Sequence, residues 1–359
     1  MKRSSFTEDQ IIDISSGGNI MTEANTVPTK ESAPERYLYH SFPRPTGDAV
    51  ADQIETGLKV LSCMVKVGLL LTPEHFEFPG EFRSDGSRGA PIPVFQKRIS
   101  FTEIQPSELA KHSESFGPFS LEFDITSARR LGAMPVMYVP GTAFNANDFS
   151  GIGLAIVARL AETVQVLETL CKFKDIAKIT TDKNSQVRWQ LDSGGAAIDT
   201  HITVETIQEL VGILQHGREP LEMLRDMIHA LSGYFYATEN PRYTDLLGYY
   251  LQREWRIISR ISHYATPLFD EPTNIEKNLI RDTKPAFFDK EIELRLKRKK
   301  RIDACYVIRA FRGEHILRHA RRIIVPSSGV ERACELVADL EIAERVIALD
   351  TIAARPETL

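Results

Sequence analysis

The sequence of 359 residues lacks the short motifs that mark the common nucleotide-binding and hydrolytic enzymes. It contains no GxxxxGKS or GxxxxGKT and no GxGxxG after a strand, so the usual phosphate-binding loops are absent. It contains neither HExxH nor GxSxG, which removes the best-known metalloprotease and hydrolase signatures. Any activity must therefore depend on residues that no short motif identifies.

Cysteines and long apolar runs are also scarce. The four cysteines form no CxxC pair and have no histidine at ligand spacing, so we expect four buried free thiols in a reducing compartment and no metal site. No stretch approaches the roughly 18 apolar residues of a membrane span, and the N-terminus lacks the apolar core of a signal peptide. We therefore expect a cytoplasmic protein that does not contact the membrane.

The composition, at 42% hydrophobic and 26% charged residues, is that of an ordinary globular protein. The net charge of −5 hides a basic segment, because residues 295–322 contain eleven Lys or Arg against Asp303 and Glu314. This segment could be a solvated helix face, a nuclear-type signal or a nucleic-acid interface. The candidate nucleic-acid-binding residues are Arg295, Lys297, Arg298, Lys299, Lys300 and Arg301.

The pattern of apolar residues predicts an α+β fold with a mixed sheet. Residues 1–35 are rich in Ser, Thr, Glu and Asn and are interpreted as a disordered arm. The core begins at 36–143 and returns at 241–359, with a mainly helical insertion at 144–240. A basic helix is expected at 274–303.

The densest local signals lie between Phe95 and Pro140. A strand at 95–101 precedes a helix that begins at Pro106 and ends at Gly117. The alternation over residues 119–125 predicts a half-buried strand with Ser120, Glu122 and Asp124 on the polar side. A short helix at 127–131 and a strand at 134–139 complete this unit.

Other elements follow from periodicity and from breakers. The expected helices are 48–71, 148–178, 204–215, 220–237 and 329–340; residues 187–191 and the turn at 193–195 suggest a hairpin. The expected strands are 249–259, 305–311, 322–325 and 345–350. Residues 72–93 are rich in Pro and Gly and are predicted to be a long loop.

Three ionisable residues are candidates for a site. His112 is better explained as an exposed or capping histidine, and Glu103 as an acid at a helix N-terminus. Glu254 lies within a β-prone run between Arg253 and Arg256, where a carboxylate is disfavoured. It either forms a cross-strand ion pair with an arginine or is fixed on the strand to bind a sugar hydroxyl and stabilise positive charge.

Several short segments of the chain follow one another in an order that a known family shares. They are Tyr39-His40-Ser41-Phe42, Phe101-Thr102-Glu103-Ile104, His112, Phe116-Gly117, Pro135-Val136-Met137-Tyr138, Arg253-Glu254-Trp255-Arg256 and Ile323-Ile324-Val325-Pro326. In these positions the chain resembles the abortive-infection family of AbiGi-type antitoxins. The chain departs from the family pattern in having Glu103 for Asp, Phe116 for Tyr, Met134 for Asn, and a proline displaced to Pro106. The resemblance implies phage defence and a toxin partner.

The order of a histidine, an aromatic residue and a late-strand glutamate also resembles ADP-ribosyltransferases. This resemblance implies an ADP-ribosyltransferase-like sheet and an enzyme that uses NAD as substrate. His40 and Glu254 would be catalytic, with His40, Ser41, Tyr138 and Tyr250 binding NAD, and the acceptor would be nucleic acid or protein. The alternatives are a non-catalytic antitoxin that binds a toxin and a nucleic-acid-binding module that uses residues 295–322.

Overall fold

The computed structural model describes most of the chain after the N-terminal arm. The described residues are 36–45, 50–78, 87, 89, 91–139, 152–179, 182–193, 196–214, 221–237, 253–259, 268–294 and 297–353. The predicted arm at 1–35, Tyr250 and Arg295 lie outside these ranges. Among the described helices, none combines the length and the apolar character that a membrane crossing requires.

The described ranges contain α-helices and β-strands in mixed order. The helices are α1 (Val50–Val67), α2 (Leu109–Phe116), α3 (Ile125–Arg130), α4 (Ile152–Ile179), α5 (Val204–Leu214), α6 (Leu221–Ser232), α7 (Asn274–Thr283), α8 (Pro285–Phe288), α9 (Val330–Val337) and α10 (Leu349–Ala353). The strands up to the middle of the chain are β1 (Tyr37–Phe42), β2 (Leu69–Phe78), β3 (Ile92–Ile104), β4 (Phe119–Asp124), β5 (Met134–Pro135), β6 (Met137–Val139), β7 (Gln186–Ser193), β8 (Ala196–Thr203) and β9 (Phe235–Ala237). The later strands are β10 (Glu254–Ile258), β11 (Glu291–Leu294), β12 (Lys297–Lys300), β13 (Tyr306–Ile308), β14 (Ala310–Phe311), β15 (Glu314–His315), β16 (Arg322–Val325) and β17 (Val346–Ala348).

Strand β3 links the two halves of the main sheet. One of its edges pairs antiparallel with β2 along residues 92–98 and then with β1 along residues 102–104. Its other edge pairs with β10 along residues 98–102. From β1 the sheet continues to β4, β16 and the parallel strand β17, while β13 pairs with β2 and β5 with β10. The mixed sheet and the helices confirm the α+β fold.

Helices cover both faces of the sheet. On one face, α1 and α9 bury a large apolar core that includes Leu61, Phe101 and Phe123. On the other face, Leu109 of α2 and Ile352 of α10 pack in a smaller apolar cluster with side chains of β1, β3 and β16. Because both faces are covered, the side chains of β4 are buried from Phe119 to Phe123. The prediction of a half-buried strand was therefore wrong, since α2, which directly precedes β4, and α10, from the end of the described chain, cover its polar side.

Two glycines set the ends of helices. Gly117 follows α2 with a φ of 116°, and a Cβ there would collide with the carbonyl oxygen of Pro43. Gly68 follows α1 with a φ of 104°, and a Cβ there would collide with the carbonyl oxygen of Ile308. Only glycine combines this backbone region with so close an approach. The predicted helix end at Gly117 is confirmed, whereas α1 ends before the predicted residue 71.

Three other predictions are corrected by the structure. Residues 69–78 form β2 and residues 92–104 form β3, so both ends of the predicted loop at 72–93 belong to two long strands. The predicted basic helix at 274–303 ends at Thr283, before Pro285, because a residue preceding proline is disfavoured in helical geometry. Its basic run instead forms β12, paired with β11. The predicted helix at 220–237 ends at Ser232, and β9 then pairs parallel with β6.

The described part of residues 144–240 contains the helices α4, α5 and α6. It also contains the β7–β8 hairpin, paired from Gln186 and Thr203 to Ser193 and Ala196, which confirms the predicted hairpin. The limits of this region as an insertion, and the division of the core into 36–143 and 241–359, stay predictions.

Candidate functional site

A line of polar residues crosses one face of the main sheet. Arg322 of β16 lies opposite Glu122 of β4, which lies opposite Tyr39 of β1. Tyr39 lies opposite Thr102 of β3, and Thr102 lies opposite Glu254 of β10. Directly opposed residues project from the same face of a sheet, so these five side chains form one line, which we call the polar row.

Glu122 occupies the first carboxylate position in the polar row. Its side chain has no exposed surface, and Tyr39 donates its hydroxyl to Oε2 at 2.9 Å. Arg321 Nη1 lies 3.4 Å from Oε1, and Arg322 Nε lies 3.7 Å from it. Burial raises the pKa of Glu122 more than the hydrogen bond from Tyr39 and the two arginines lower it. The same burial, together with the charge of Glu122, raises the pKa of Tyr39.

Glu254 occupies the second carboxylate position and is bound differently. Arg256 donates from Nε to Oε1 at 2.8 Å and from Nη2 to Oε2 at 3.0 Å, and Ser100 donates its hydroxyl to Oε1 at 2.7 Å. Arg256 is fully buried, and its Nη1 donates to the carbonyl oxygen of Gly233 at 2.9 Å. Burial would raise the pKa of Glu254, but Arg256, Arg98 and the hydrogen bonds to the carboxylate outweigh burial and lower it.

Tyrosines flank the Glu254–Arg256 pair. The ring centroid of Tyr236 lies 5.0 Å from the guanidinium carbon of Arg256. The ring of Tyr138 meets that of Tyr236 edge-on at a centroid distance of 6.3 Å. Burial and the charge of Glu254 raise the pKa of Tyr138, so this phenol stays neutral at physiological pH. The structure thus brings the predicted Tyr138 and Glu254 into one neighbourhood.

His40 approaches the same neighbourhood from β1. Its Nδ1 lies 2.9 Å from the carbonyl oxygen of Ser100, the residue whose hydroxyl binds Glu254. Strand alternation places His40 on the face opposite to Tyr39, where its ring lies 5.8 Å from that of Phe101. Burial lowers the pKa of His40, which favours the neutral imidazole. His40 and Glu254 therefore contact Ser100 from opposite faces of the sheet, His40 at the carbonyl oxygen and Glu254 at the hydroxyl, and the structure does not bring these two predicted catalytic residues into one cleft.

The remaining candidates have structural partners. Ser41 exchanges a hydrogen bond of 2.8 Å with the Ser120 hydroxyl. Glu103 accepts from Arg36 and from the indole of Trp255, each at 3.0 Å. The His112 ring stacks on Phe116 at 4.3 Å, and burial lowers the pKa of His112 to about 4.

Ion pairs within the chain occupy much of the basic segment. Arg301 binds Glu74 at 2.9 Å and lies 3.5 Å from the ring centroid of Phe287. Arg309 binds Glu276 with two guanidinium nitrogens at 2.8 Å each, and these bonds lower the pKa of Glu276 to about 2. The cations Arg318, Arg321 and Arg322 also pair with carboxylates.

The exposed part of the predicted nucleic-acid site that the structure describes is smaller than the predicted site. Arg298, Lys299 and Lys300 are exposed on β12, whose partner strand β11 places Glu291 opposite Lys300 and Glu293 opposite Arg298. Lys297, the first residue of β12, lies opposite Leu294. Over the described residues 297–322, cations that pair with carboxylates therefore alternate with exposed ones, and the nucleic-acid site stays a prediction.

Sequence reasoning missed Glu122 and Tyr39 as members of the polar row. The alternation in β4 assigned Glu122 to a solvated face, and no local signal indicates that α2 and α10 cover it. Reasoning from the sequence did identify Glu254, but it expected a cross-strand arginine as partner. The main partner is Arg256, two residues further along the same strand. Within the described ranges, His, Cys, Asp and Glu side chains form no cluster of three that could hold a metal ion.

The fold and the site define an α+β protein with a buried, charged row across its sheet. The family model described as "Putative abortive phage resistance protein AbiGi, antitoxin" matches residues 92–285, just over half of the chain. The chain therefore belongs to the AbiGi family of abortive phage resistance proteins. No curated protein and no solved structure matches it.

Proposed function

We propose that this chain is the antitoxin of an abortive-infection system and acts by binding a toxin protein. The observation that carries this proposal is the state of Glu254, because Arg256 and Ser100 already bind its carboxylate oxygens. A carboxylate held in this way stabilises the junction between β3 and β10 and needs no substrate to complete its hydrogen bonds. The family description, which names an antitoxin, supports the same function.

The helices α4, α5 and α6 would supply the surface for the toxin. They leave large apolar side chains in solvent, with Ile152 62% exposed and Ile213 72% exposed. The others are Ile156, Val166, Leu210, Leu224 and Met227. Exposed apolar side chains of this kind are typical of a protein interface. The acidic character of the chain outside residues 295–322 favours a toxin with a basic surface around that centre.

The test is co-expression of this chain with candidate toxin proteins, with bacterial growth as the readout. We expect wild type and Glu254→Gln to restore growth equally when both are folded. Ile213→Glu combined with Leu210→Glu should lose at least ten-fold in toxin affinity, whereas Lys183→Glu, on an exposed residue of the same region, serves as the charge control. Loss of neutralisation by a folded Glu254→Gln variant would contradict the proposal.

A second candidate is an ADP-ribosyltransferase-like enzyme, favoured by the position of Tyr138 and Tyr236 beside the Glu254–Arg256 pair. His40 lies on the other face of the sheet and would take no part in this site. NAD would be the substrate, with Tyr138 against the nicotinamide and Glu254 holding a ribose hydroxyl in place of the Ser100 hydroxyl. Glu254 would then stabilise the positive charge that develops on the ribose carbon. Incubation with labelled NAD tests this candidate. Label transfer by wild type but not by a folded Glu254→Gln variant would favour the enzyme over the antitoxin.

A further inference from the structure

A separate cavity of about 250 Å³ lies between α3 and the β14–β15 hairpin, away from the polar row. Its lining residues are Ser127, Arg130, Phe311, Arg312, Glu314 and His319. Two guanidinium groups, a hydroxyl and an aromatic ring therefore face one small space. This combination resembles no part of the Glu254 neighbourhood, where tyrosines surround an ion pair.

The hairpin turn places an arginine where the backbone disfavours one. Arg312 has a φ of 54° and Gly313 a φ of 82°, and these two residues connect β14 to β15. A two-residue turn with positive φ at both positions favours Asn-Gly, Asp-Gly or Gly-Gly. An arginine at the first position is strained, and such strain is a reason to look for a function of its side chain. Here that side chain lines the cavity, with its guanidinium carbon 5.3 Å from the ring centroid of Phe311.

The charges at the cavity differ from those elsewhere in the basic segment. Arg301 and Arg309 are held by carboxylates, whereas neither Arg130 nor Arg312 forms an ion pair with a carboxylate in the described part of the chain. The acid in the lining, Glu314, lies 3.8 Å from Nε2 of His319, which in turn lies 3.0 Å from the carbonyl oxygen of Phe311. The cavity thus keeps two arginines available for an anion.

We propose that this cavity binds the phosphate group of a small phosphate monoester. Arg130 and Arg312 would hold the phosphate oxygens, the Ser127 hydroxyl would donate a further hydrogen bond, and the organic part would lie against Phe311. The volume of about 250 Å³ fits a small molecule rather than a polymer, and Arg318, next to the lining residue His319, already binds Glu341 at 2.8 Å. The organic part could be a sugar alone or a nucleoside, and the phosphate chemistry is the same for both.

The experiment is calorimetric titration of the full chain with inorganic phosphate, ribose 5-phosphate and adenosine monophosphate at low salt. We expect saturable binding of at least one of the two esters. Arg130→Gln and Arg312→Asn should each weaken it at least ten-fold, because each removes a guanidinium. Arg129→Gln, the exposed neighbour on the same helix that does not line the cavity, should leave the affinity within two-fold of wild type.

The Arg312→Asn variant also provides a folding check. Because asparagine suits a turn with positive φ, its unfolding midpoint should be equal to or above that of wild type while ester binding falls. Comparing the affinities for ribose 5-phosphate and adenosine monophosphate distinguishes a sugar phosphate from a nucleotide as the preferred ligand. No saturable binding of any probe at millimolar concentration, or equal binding by wild type and both cavity variants, would overturn the proposal.

Discussion

The two carboxylates of the polar row, Glu122 and Glu254, lie on the same face of one sheet and are both largely removed from water, yet their pKa values move in opposite directions. Glu254 is held by two nitrogens of one buried guanidinium at 2.8 and 3.0 Å. Glu122 has its closest guanidinium nitrogen at 3.4 Å and relies on the Tyr39 hydroxyl at 2.9 Å.

The difference shows that contact geometry decides the charge state of a buried carboxylate. A bidentate guanidinium at hydrogen-bond distance offsets the loss of hydration and lowers the pKa of Glu254. The two arginines near Glu122 lie at longer distances and do not offset the loss of hydration, so burial raises the pKa of Glu122. Glu254 is therefore a fixed negative charge, and Glu122 is the carboxylate of the row that more readily accepts a proton.

The largest expected effect comes from Arg256→Met. This change leaves Glu254 without its bidentate partner in a site that is 16% exposed, and we expect a loss of about 3 kcal/mol in the free energy of unfolding. Urea denaturation measures the loss. Arg321→Met, at the longer contact to Glu122, is the matched variant and should lose about 1 kcal/mol or less, because Arg321 is 37% exposed.

The double variant Glu254→Gln with Arg256→Met separates charge from packing. If the unpaired charge causes the loss, the double variant should recover part of the stability that Arg256→Met loses. If the double variant is no more stable than Arg256→Met alone, the packing of Arg256 against Tyr236 is the cause instead, and the comparison of the two carboxylates fails.

An intermediate effect is expected from removing one hydroxyl at each carboxylate. Tyr39→Phe removes the shortest hydrogen bond to a fully buried carboxylate, and we expect a loss of about 1–2 kcal/mol. Ser100→Ala leaves Glu254 with both Arg256 contacts and should lose about 1 kcal/mol or less. Denaturation of the two variants side by side tests this order. A larger loss in Ser100→Ala than in Tyr39→Phe would contradict this order.

The smallest expected effect is on the pH dependence of stability, where the two carboxylates should act in opposite directions. The lowered pKa of Glu254 contributes stability above the ordinary value of 4.5, and this contribution is lost as the pH falls through the folded pKa. The raised pKa of Glu122 acts in reverse: its contribution is fully present below 4.5 and is lost as the pH rises through the folded pKa.

Glu254→Gln should therefore reduce the loss of stability in acid. Glu122→Gln should reduce the loss of stability as the pH rises above the ordinary glutamate pKa of 4.5. Urea midpoints measured between about pH 3 and 8 for wild type and both variants give the two slopes. Changes of the same sign in the two variants would contradict the assigned pKa directions.

How far the sequence could predict this structure depends on whether the cause was local. The end of α2 at Gly117 and the β7–β8 hairpin are set by neighbouring residues, and the sequence predicted them. The helix predicted from Pro106 begins as a short 3-10 turn, Pro106–Glu108, before α2. Glu122 lies on the face that α2 and α10 cover. Leu109 of α2 and Ile352 of α10 are far apart in the sequence and come together only in the fold. The long strand β2 was mistaken for a loop because its pairing with β3, not its composition, makes it a strand.

The candidate site was predictable to the same extent. The unfavourable position of Glu254 in a β-prone run identified it correctly as a residue that needs a partner. Several arginines of the basic segment are paired with carboxylates from elsewhere in the chain, such as Glu74, Glu122 and Glu276, and no pattern in the sequence indicates these pairs. Net charge along a sequence does not show which cations remain available.

The position of β3 between β1 and β10 has a consequence for synthesis on the ribosome. The β1 partner of β3 precedes it in the chain, whereas β10 follows about 150 residues later. Until residue 258 has left the ribosome, the edge of β3 from Arg98 to Thr102 has no β10 to pair with, and an open strand edge is a template for pairing with other chains. The nascent protein therefore passes through a long interval in which its central strand is open to association, and the arrival of Glu254 and Arg256 ends it.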